Sequence, residues 1–152
     1  MRLLAVRHGE AGDAAEFAHS GRPDHLRPLT AKGRKRMWLA ARGLVQELPS
    51  IDVLGTSPYL RAVQTAEIIS SAYGNIAIRQ LPQLACSAPL ERLLTWLTEY
   101  PTDTYVAIVG HAPELACLIT YLAVEHTTPV LKIKKGGACL VSFKQDPRPG
   151  RV

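Results

Sequence analysis

The sequence predicts an α/β protein in which helices pack in layers around a mainly parallel central sheet. Two observations predict this class. Short apolar segments typical of strands alternate along the chain with amphipathic helical segments, and this alternation favours parallel strands joined by crossover helices. The chain has 152 residues, of which 47% are hydrophobic, so it is long enough to bury one sizeable core. We therefore expect a single domain over residues 1–152.

Strands and helices alternate from the start of the chain. A segment rich in Gly, Pro, Asp and His follows the first apolar strand and is typical of a long loop. Thr30 suits the N-cap of the next helix, whose apolar residues recur at helical spacing, and Pro58 suits the first turn of the second helix. The first half is therefore expected to contain strands at 2–7 and 51–57, a loop at 8–29, and helices at 30–48 and 58–71.

The second half of the chain repeats the alternation. The segment "TYVAIVG" has the strongest strand character in the sequence, and it ends at Gly110 and His111. Leucines at helical spacing follow both Pro89 and Pro113, so a helix is expected to open at each proline. Further strands are expected at 76–81, 104–110 and 137–144, and a flexible tail at about 146–152.

Composition excludes several classes of function. The net charge is +5, but the basic residues are scattered, so specific nucleic-acid binding has no support. The three cysteines, Cys86, Cys117 and Cys139, form no CxxC pair, so buried structural thiols are expected rather than a metal site. No run approaches the ~18 apolar residues that a membrane span needs. Arg7 and His8 interrupt the N-terminal apolar stretch, which is therefore too short for a signal peptide. We expect a cytoplasmic protein that does not bind membranes.

Three predicted strands end in unusual polar residues. The first ends at Arg7 and His8, the second leads through Ser57 to Arg61, and a later strand ends at His111. Ligands bind beyond the carboxyl ends of strands in sheets of this class, so we expect these side chains to converge.

Such a pocket suits a phosphoryl group. Two arginines can bind phosphate oxygens in a bidentate manner. A carboxylate ligand would also suit the arginines, but it would give the two histidines no chemical role. One imidazole can attack phosphorus and the other can stabilise the developing charge. His8 is the better candidate for the nucleophile and His111 for the stabiliser, while Gly9 and Gly110 allow close approach of the backbone.

The motifs resemble those of a known family. "RHGE" at 7–10, "SPYLRAVQTAE" at 57–67 and "GHAP" at 110–113 are similar to motifs of the histidine phosphatase superfamily, in the same order. The small size and "RPLTAKG" at 27–33 resemble in particular the SixA-type phosphohistidine phosphatases. The resemblance covers nearly the whole chain and implies the phosphoglycerate mutase-like fold, which has three α/β/α layers and a mixed, mainly parallel central sheet.

The resemblance also implies roles for individual residues. It implies that His8 is the phosphorylated nucleophile, and that Arg7, Arg61 and His111 hold the phosphate. No metal and no organic cofactor is implied. Ser57 is a further candidate for contacting phosphate, although capping the following helix is an equally good interpretation.

The substrate class follows from a missing acid. Larger members of the superfamily carry a proton-donating acid after the third strand, where this chain reads "LPQLACSAPLERL" with Glu91 alone, inside a predicted helix. Expelling imidazole, with a pKa near ~6.5, needs such a donor far less than expelling an alkoxide. We therefore expect cleavage of phosphohistidine on a partner protein. Glu10 is a candidate acid, although a solvated or arginine-paired carboxylate is the simpler interpretation.

Other functions stay open at this point. With Glu10 as acid, the protein would be a phosphomonoesterase acting on a small phosphorylated metabolite or a phosphoprotein. A mutase would need a closed site, and a non-catalytic module would bind phosphate without turnover. The basic segment "KIKKGG" at 132–137 is interpreted as an exposed edge that could dock an acidic partner. Core or half-buried packing is expected for Trp38 and Trp96, and solvated positions for His19, His25 and His126. Arg22 and Arg27 could steer an anionic partner, although solvated loop positions are the simpler interpretation.

Overall fold

A computed structural model describes residues 1–143, 147 and 149–150. The tail predicted at about 146–152 therefore falls mostly outside the described residues.

The sheet has five strands in the order β3-β2-β4-β1-β5. All neighbouring strands are parallel except β1 and β5, which pair antiparallel. This confirms the predicted mixed, mainly parallel sheet. The strands are β1 Arg2–Arg7, β2 Val53–Thr56, β3 Ile78–Gln80, β4 Tyr105–Gly110 and β5 Ala138–Ser142.

The predicted helices are present, with one addition. Thr30 caps α2 as expected, since its Oγ1 accepts a hydrogen bond from the Gly33 N–H at 2.9 Å. The second predicted helix begins two residues beyond Pro58, with Tyr59 as its N-cap. The α-helices are α1 Ala14–His19, α2 Ala31–Glu47, α3 Leu60–Ala72, α4 Leu90–Leu97 and α5 Glu114–Val124, with 3-10 turns at Asp24–Leu26 and Pro82–Leu84.

The prediction of a continuous loop over residues 8–29 was wrong. This segment contains α1 and the first 3-10 turn. Asp13 caps α1 by accepting hydrogen bonds from the N–H groups of Ala15 and Glu16, at 2.8 and 3.0 Å. The helix buries none of its residues, so it has no apolar stripe that the sequence pattern could reveal.

Alternate residues of β1 enter separate cores on the two faces of the sheet. Leu3 and Ala5 belong to the core beneath α4 and α5, whereas Leu4 and Val6 belong to the core beneath α2 and α3. This arrangement gives the three predicted layers. Within the described residues, no helix combines the length and apolar character that crossing a membrane requires.

The tryptophans pack as expected, but the cysteines do not. Trp96 is buried, and Trp38 is about half-buried, with 45% of its surface exposed, because it lies beside the apolar stripe of α2. The cysteines are free and only half-buried, so they do not fill the core. Cys139 packs against the core beneath α4 and α5, whereas Cys86 lines a cavity at the end of the sheet.

The first loop is attached to the start of α2. The carbonyl of Glu10 accepts hydrogen bonds from the Thr30 N–H at 3.0 Å and from its Oγ1 at 3.3 Å. A Cβ on Gly33 would lie only 2.1 Å from the same carbonyl oxygen. Only glycine therefore allows α2 to approach the loop so closely.

Replacing Gly33 should destabilise the fold. Alanine normally favours a helix over glycine by about 1 kcal/mol, but at Gly33 the clash should reverse the sign and cost about 1–3 kcal/mol. Gly43→Ala is the matched control, because nothing lies within 4 Å of a Cβ at that position of the same helix. Urea denaturation measures both variants. Equal stabilisation by the two substitutions would contradict the close packing at Gly33.

Candidate active site

The predicted strand ends meet at a cavity of about 970 Å³. β2, β4 and β1 are adjacent in the sheet, so their carboxyl ends share one edge. The cavity is lined by Arg7, His8, Gly9, Arg61 and His111, among others. Ser57 does not line it but contacts His111 from behind.

His8 is held in one tautomer by its own neighbour. The residue directly follows β1 and is 6% exposed, and its backbone N–H donates to the Gly110 carbonyl at 3.0 Å. Its Nδ1 lies 2.7 Å from the Gly9 carbonyl oxygen, which can only accept, so Nδ1 carries the proton. Nε2 is then left with its lone pair.

Burial keeps the His8 ring neutral. Desolvation is the main cause that lowers the pKa of His8 from 6.5 to about 3, and the nearby His111, Arg61 and Arg7 lower it further. The hydrogen bond to Gly9 opposes this shift. At neutral pH the ring is therefore uncharged, as a nucleophile must be.

His111 lies beside His8 at the end of β4. The two ring centroids are 5.1 Å apart, and burial, followed by the charge of Arg61, lowers the pKa of His111 from 6.5 to about 4. Its Nε2 lies 2.8 Å from the Ser57 Oγ. Among the described residues its buried Nδ1 has no hydrogen-bond partner. Ser57 Oγ also accepts from the Tyr59 N–H at 3.3 Å, so this side chain orients His111 and the start of α3.

Both arginines are anchored through Nη1. Arg7 Nη1 donates to the Ile133 carbonyl at 2.8 Å. Arg61 is 4% exposed, and its Nη1 contacts Asp24 through the backbone carbonyl at 3.0 Å and the carboxylate at 3.1 Å. In the part of the chain that the structure describes, the buried Nε of each arginine has no partner. Buried N–H groups without partners are costly, so these arginines suit a bound oxyanion.

Gly9 is required mainly for packing. A Cβ there would lie 2.6 Å from Cγ of Met37, and the Gly9 N–H donates to Thr65 Oγ1 at 3.1 Å. Gly9 also lines the cavity, and its missing side chain makes room for α2.

The candidate acids differ in position. Glu10 lines the cavity, and its Oε2 lies 3.2 Å from Nη1 of Arg36, which matches the arginine-paired interpretation. Glu91 is exposed on α4 and does not line the cavity. Asp13 also lines the cavity, and hydrogen bonds from the N–H groups of Glu16 and Ala15 hold the pKa of its carboxyl below the ordinary value.

Several residues have roles that the sequence did not reveal. Asp24 pairs with Arg61, and the Tyr59 ring lies 4.8 Å from the Arg61 guanidinium and 5.0 Å from His111. Arg27, expected to be solvated, is anchored by Asp24 and the Gly12 carbonyl. Tyr59 lies in the same sequence motif as Arg61, so its role could have been predicted from the sequence. Asp24 is distant from Arg61 in the sequence, and no local pattern indicates that they pair.

Other polar residues lie as expected. The side chains of Arg22, His19, His25 and His126 are exposed. Among the described residues, no cluster of three or more His, Cys, Asp or Glu side chains could hold a metal ion.

The cavity is strongly basic. Two acidic residues line it, Glu10 and Asp13, against seven basic ones: Arg7, Arg27, Arg36, Arg61, Lys132, Lys134 and Lys135. This balance favours a phosphorylated or otherwise anionic ligand.

Comparisons with known proteins find related sequences. The family model of the histidine phosphatase superfamily (branch 1) matches residues 3–85. An uncharacterised protein of Picosynechococcus sp. is 37% identical over 139 residues, which cover 90% of this chain and 82% of the relative. Phosphohistidine phosphatase SixA of Escherichia coli (strain K12) is 28% identical over 134 residues, covering 86% of this chain and 79% of SixA.

A solved structure shows the same architecture. The protein histidine phosphatase SixA complexed with tungstate superposes with a TM-score of 0.83 at 25% sequence identity. The match covers 97% of this chain and 92% of that chain. This confirms the predicted fold class.

Acidification should destabilise the protein through the two buried histidines. Their folded-state pKa values, about 3 for His8 and about 4 for His111, lie below the ordinary 6.5, so the unfolded chain binds more protons as the pH falls below 6.5. The stability that each neutral ring contributes is fully present above pH 6.5. It should be lost progressively as the pH falls from 6.5 through about 4 for His111 and about 3 for His8, by up to about 1.4 kcal/mol per pH unit for each histidine. Urea denaturation at each pH measures how steeply the free energy of unfolding changes with pH. The variant His8→Asn should show a shallower dependence than the wild type. The same dependence in both proteins would contradict a neutral, buried His8.

Proposed function

Since the chain belongs to the histidine phosphatase superfamily, we propose that it is a phosphatase that hydrolyses phosphohistidine on a partner protein through a phosphorylated His8. The observation that carries the proposal is the Nδ1 contact of His8 with the Gly9 carbonyl, which leaves Nε2 as a nucleophile in a basic cavity. The resemblance of the whole chain to phosphohistidine phosphatase SixA supports the substrate class.

We further propose that the 152-residue chain acts as one domain, in the cytoplasm and without a metal or organic cofactor.

The first step transfers the phosphoryl group to His8. The Nε2 lone pair attacks phosphorus in line, and the bond from phosphorus to the substrate nitrogen breaks. The electron pair of that bond stays on the departing imidazole, which takes up a proton from solvent. Arg7, Arg61 and His111 bind the equatorial oxygens, where charge is spread in the transition state.

The second step releases phosphate. A water oxygen attacks phosphorus, the bond to His8 Nε2 breaks, and its electron pair returns to the imidazole. The water proton leaves with phosphate or passes to solvent. The Gly9 carbonyl holds the same tautomer throughout, so His8 is ready for another cycle.

The acids at the cavity favour cleavage of a P–N bond. The carboxylate of Asp13 is committed to capping α1, and that of Glu10 is paired with Arg36. Imidazole needs little help to leave, because its own pKa is near ~6.5. An alkoxide needs a proton donor in the transition state. The arrangement therefore suits phosphohistidine better than a phosphate ester.

Glu10 supports a second candidate function. It lines the cavity and follows the nucleophile by two residues, so its carboxyl could protonate an ester oxygen after release from Arg36. The protein would then be a phosphomonoesterase acting on a small metabolite or a phosphoprotein.

Removal of the nucleophile should abolish turnover. We expect His8→Ala to lower kcat/KM on a phosphohistidine peptide by at least about 10³-fold, because covalent catalysis is lost. His126→Ala is the control, since that histidine is exposed and does not line the cavity. Rapid quenching in base should trap an acid-labile phosphoryl group on the wild type alone. Sustained turnover by His8→Ala would overturn the mechanism.

The leaving group should determine the substrate preference. Because neither carboxylate at the cavity is free to protonate a leaving group, kcat/KM on a phosphohistidine peptide should exceed that on phosphomonoesters by about 10²-fold or more. Glu10→Gln should change the phosphohistidine reaction little. A preference for esters that disappears in Glu10→Gln would instead establish the second candidate function.

A further inference from the structure

We propose that residues 132–135, Lys-Ile-Lys-Lys, here termed the lysine segment, form with Arg36 a docking surface for an acidic face of the phosphorylated partner protein. This inference rests on the proposed function and specifies the partner by its charge. The mechanism above does not use these side chains, although all four of these basic residues line the cavity: Arg36, Lys132, Lys134 and Lys135.

The lysine segment is anchored to the strand end that carries the nucleophile. Ile133 is buried in the core, and its carbonyl accepts a hydrogen bond from Arg7 Nη1 at 2.8 Å. Just beyond the segment, the Gly136 N–H contacts the carbonyls of Arg7 and His8, at 3.1 and 3.0 Å. The Arg7 N–H in turn donates to the Gly137 carbonyl at 2.9 Å. The lysines are therefore held at a defined position beside His8.

Two glycines restrict the path of the turn. Gly136 has a φ of +75°, and a Cβ there would lie 2.9 Å from the Met37 sulfur. A Cβ on Gly137 would lie 2.9 Å from the Lys134 carbonyl oxygen, to which the Gly137 N–H donates at 2.8 Å. The contact with Met37 also places the turn against α2, the helix that carries Arg36. The basic side chains therefore belong to one surface built from two elements.

These charges are available to a partner. The three lysines are exposed, and across residues 1–143 none of them forms an ion pair. The Arg36 side chain is 65% exposed, and within the described part of the chain its one ion pair is with Glu10, at 3.2 Å. The phosphoryl group already has hydrogen-bond donors in Arg7, Arg61 and His111. The lysines are therefore free to contact the partner residues that surround the phosphoryl group.

A protein fits this surface better than a small metabolite does. When a partner presents phosphohistidine to His8, the partner residues beside it must face the exposed rim of the cavity. Acidic residues there would meet the lysines, and complementary charge accelerates association and excludes basic partners. Because exposed charges are screened beyond about 8 Å at physiological salt, the effect should weaken as salt rises.

The test compares substrates that share the phosphohistidine but differ around it. Three probes are used: a peptide with central phosphohistidine flanked by four glutamates, the same peptide flanked by four glutamines, and free N-phosphohistidine. The wild type should show about 10-fold higher kcat/KM on the glutamate peptide than on the glutamine peptide at 50 mM salt. Most of this difference should be lost at 500 mM salt.

Charge reversal assigns the preference to the lysine segment. The variant Lys132→Glu/Lys134→Glu/Lys135→Glu should lose the preference for the glutamate peptide, chiefly through KM, with a much smaller change on free phosphohistidine. The control is Lys32→Glu/Lys35→Glu/Arg34→Glu, which makes the same charge change on exposed residues of α2 outside the cavity lining. It should retain the preference.

The outcomes separate this inference from the proposed function. If no phosphohistidine probe is hydrolysed, the proposed function fails and the docking surface fails with it. If all probes are hydrolysed but the two peptides are equivalent, only the docking surface is overturned. It is also overturned if both triple variants lose the preference equally, or if reversal of the lysine segment impairs free phosphohistidine as strongly as the glutamate peptide.

Discussion

The parallel pairing of β1 with β4 is the constraint on which the site depends. Arg7 lies opposite Gly110 in this ladder, and the His8 N–H extends it by donating to the Gly110 carbonyl. The segments that follow β1 and β4 then leave the sheet side by side, which places the ring centroids of His8 and His111 5.1 Å apart. Backbone hydrogen bonds therefore set the distance between the two imidazoles. The side chains refine only their orientation and protonation.

The site works against the stability of the fold that holds it. Two neutral histidines are buried, and the buried Nε atoms of both arginines have no partner among the described residues. Each such group favours the unfolded, hydrated chain. The apolar cores on the two faces of the sheet offset this cost. The apolar residues of β1 run from Leu3 to Val6 and polar groups follow directly, so the cost is confined to one edge of the sheet.

The structure also shows how much the sequence could predict. Helices with an apolar stripe were predicted nearly to the residue, because burial imposes the helical spacing. α1 was missed because it buries nothing and depends on the Asp13 cap. For Trp38 the sequence left open whether the ring would be fully or half-buried, and in the structure it is 45% exposed on α2. Composition shows that a tryptophan is present, but only the phase of the helix determines which way it faces.

The sequence by itself determined the order of the elements and the chemistry at the strand ends. Arg7, His8, Arg61 and His111 could be identified because polar residues after apolar strands are costly unless they serve a ligand. Only the tertiary structure decided how they are held. Asp24 reaches Arg61, Ser57 orients His111, and the lysine segment is fixed to Arg7 and His8. These contacts join residues far apart in the chain, and local patterns carry no information about which distant groups folding will bring together.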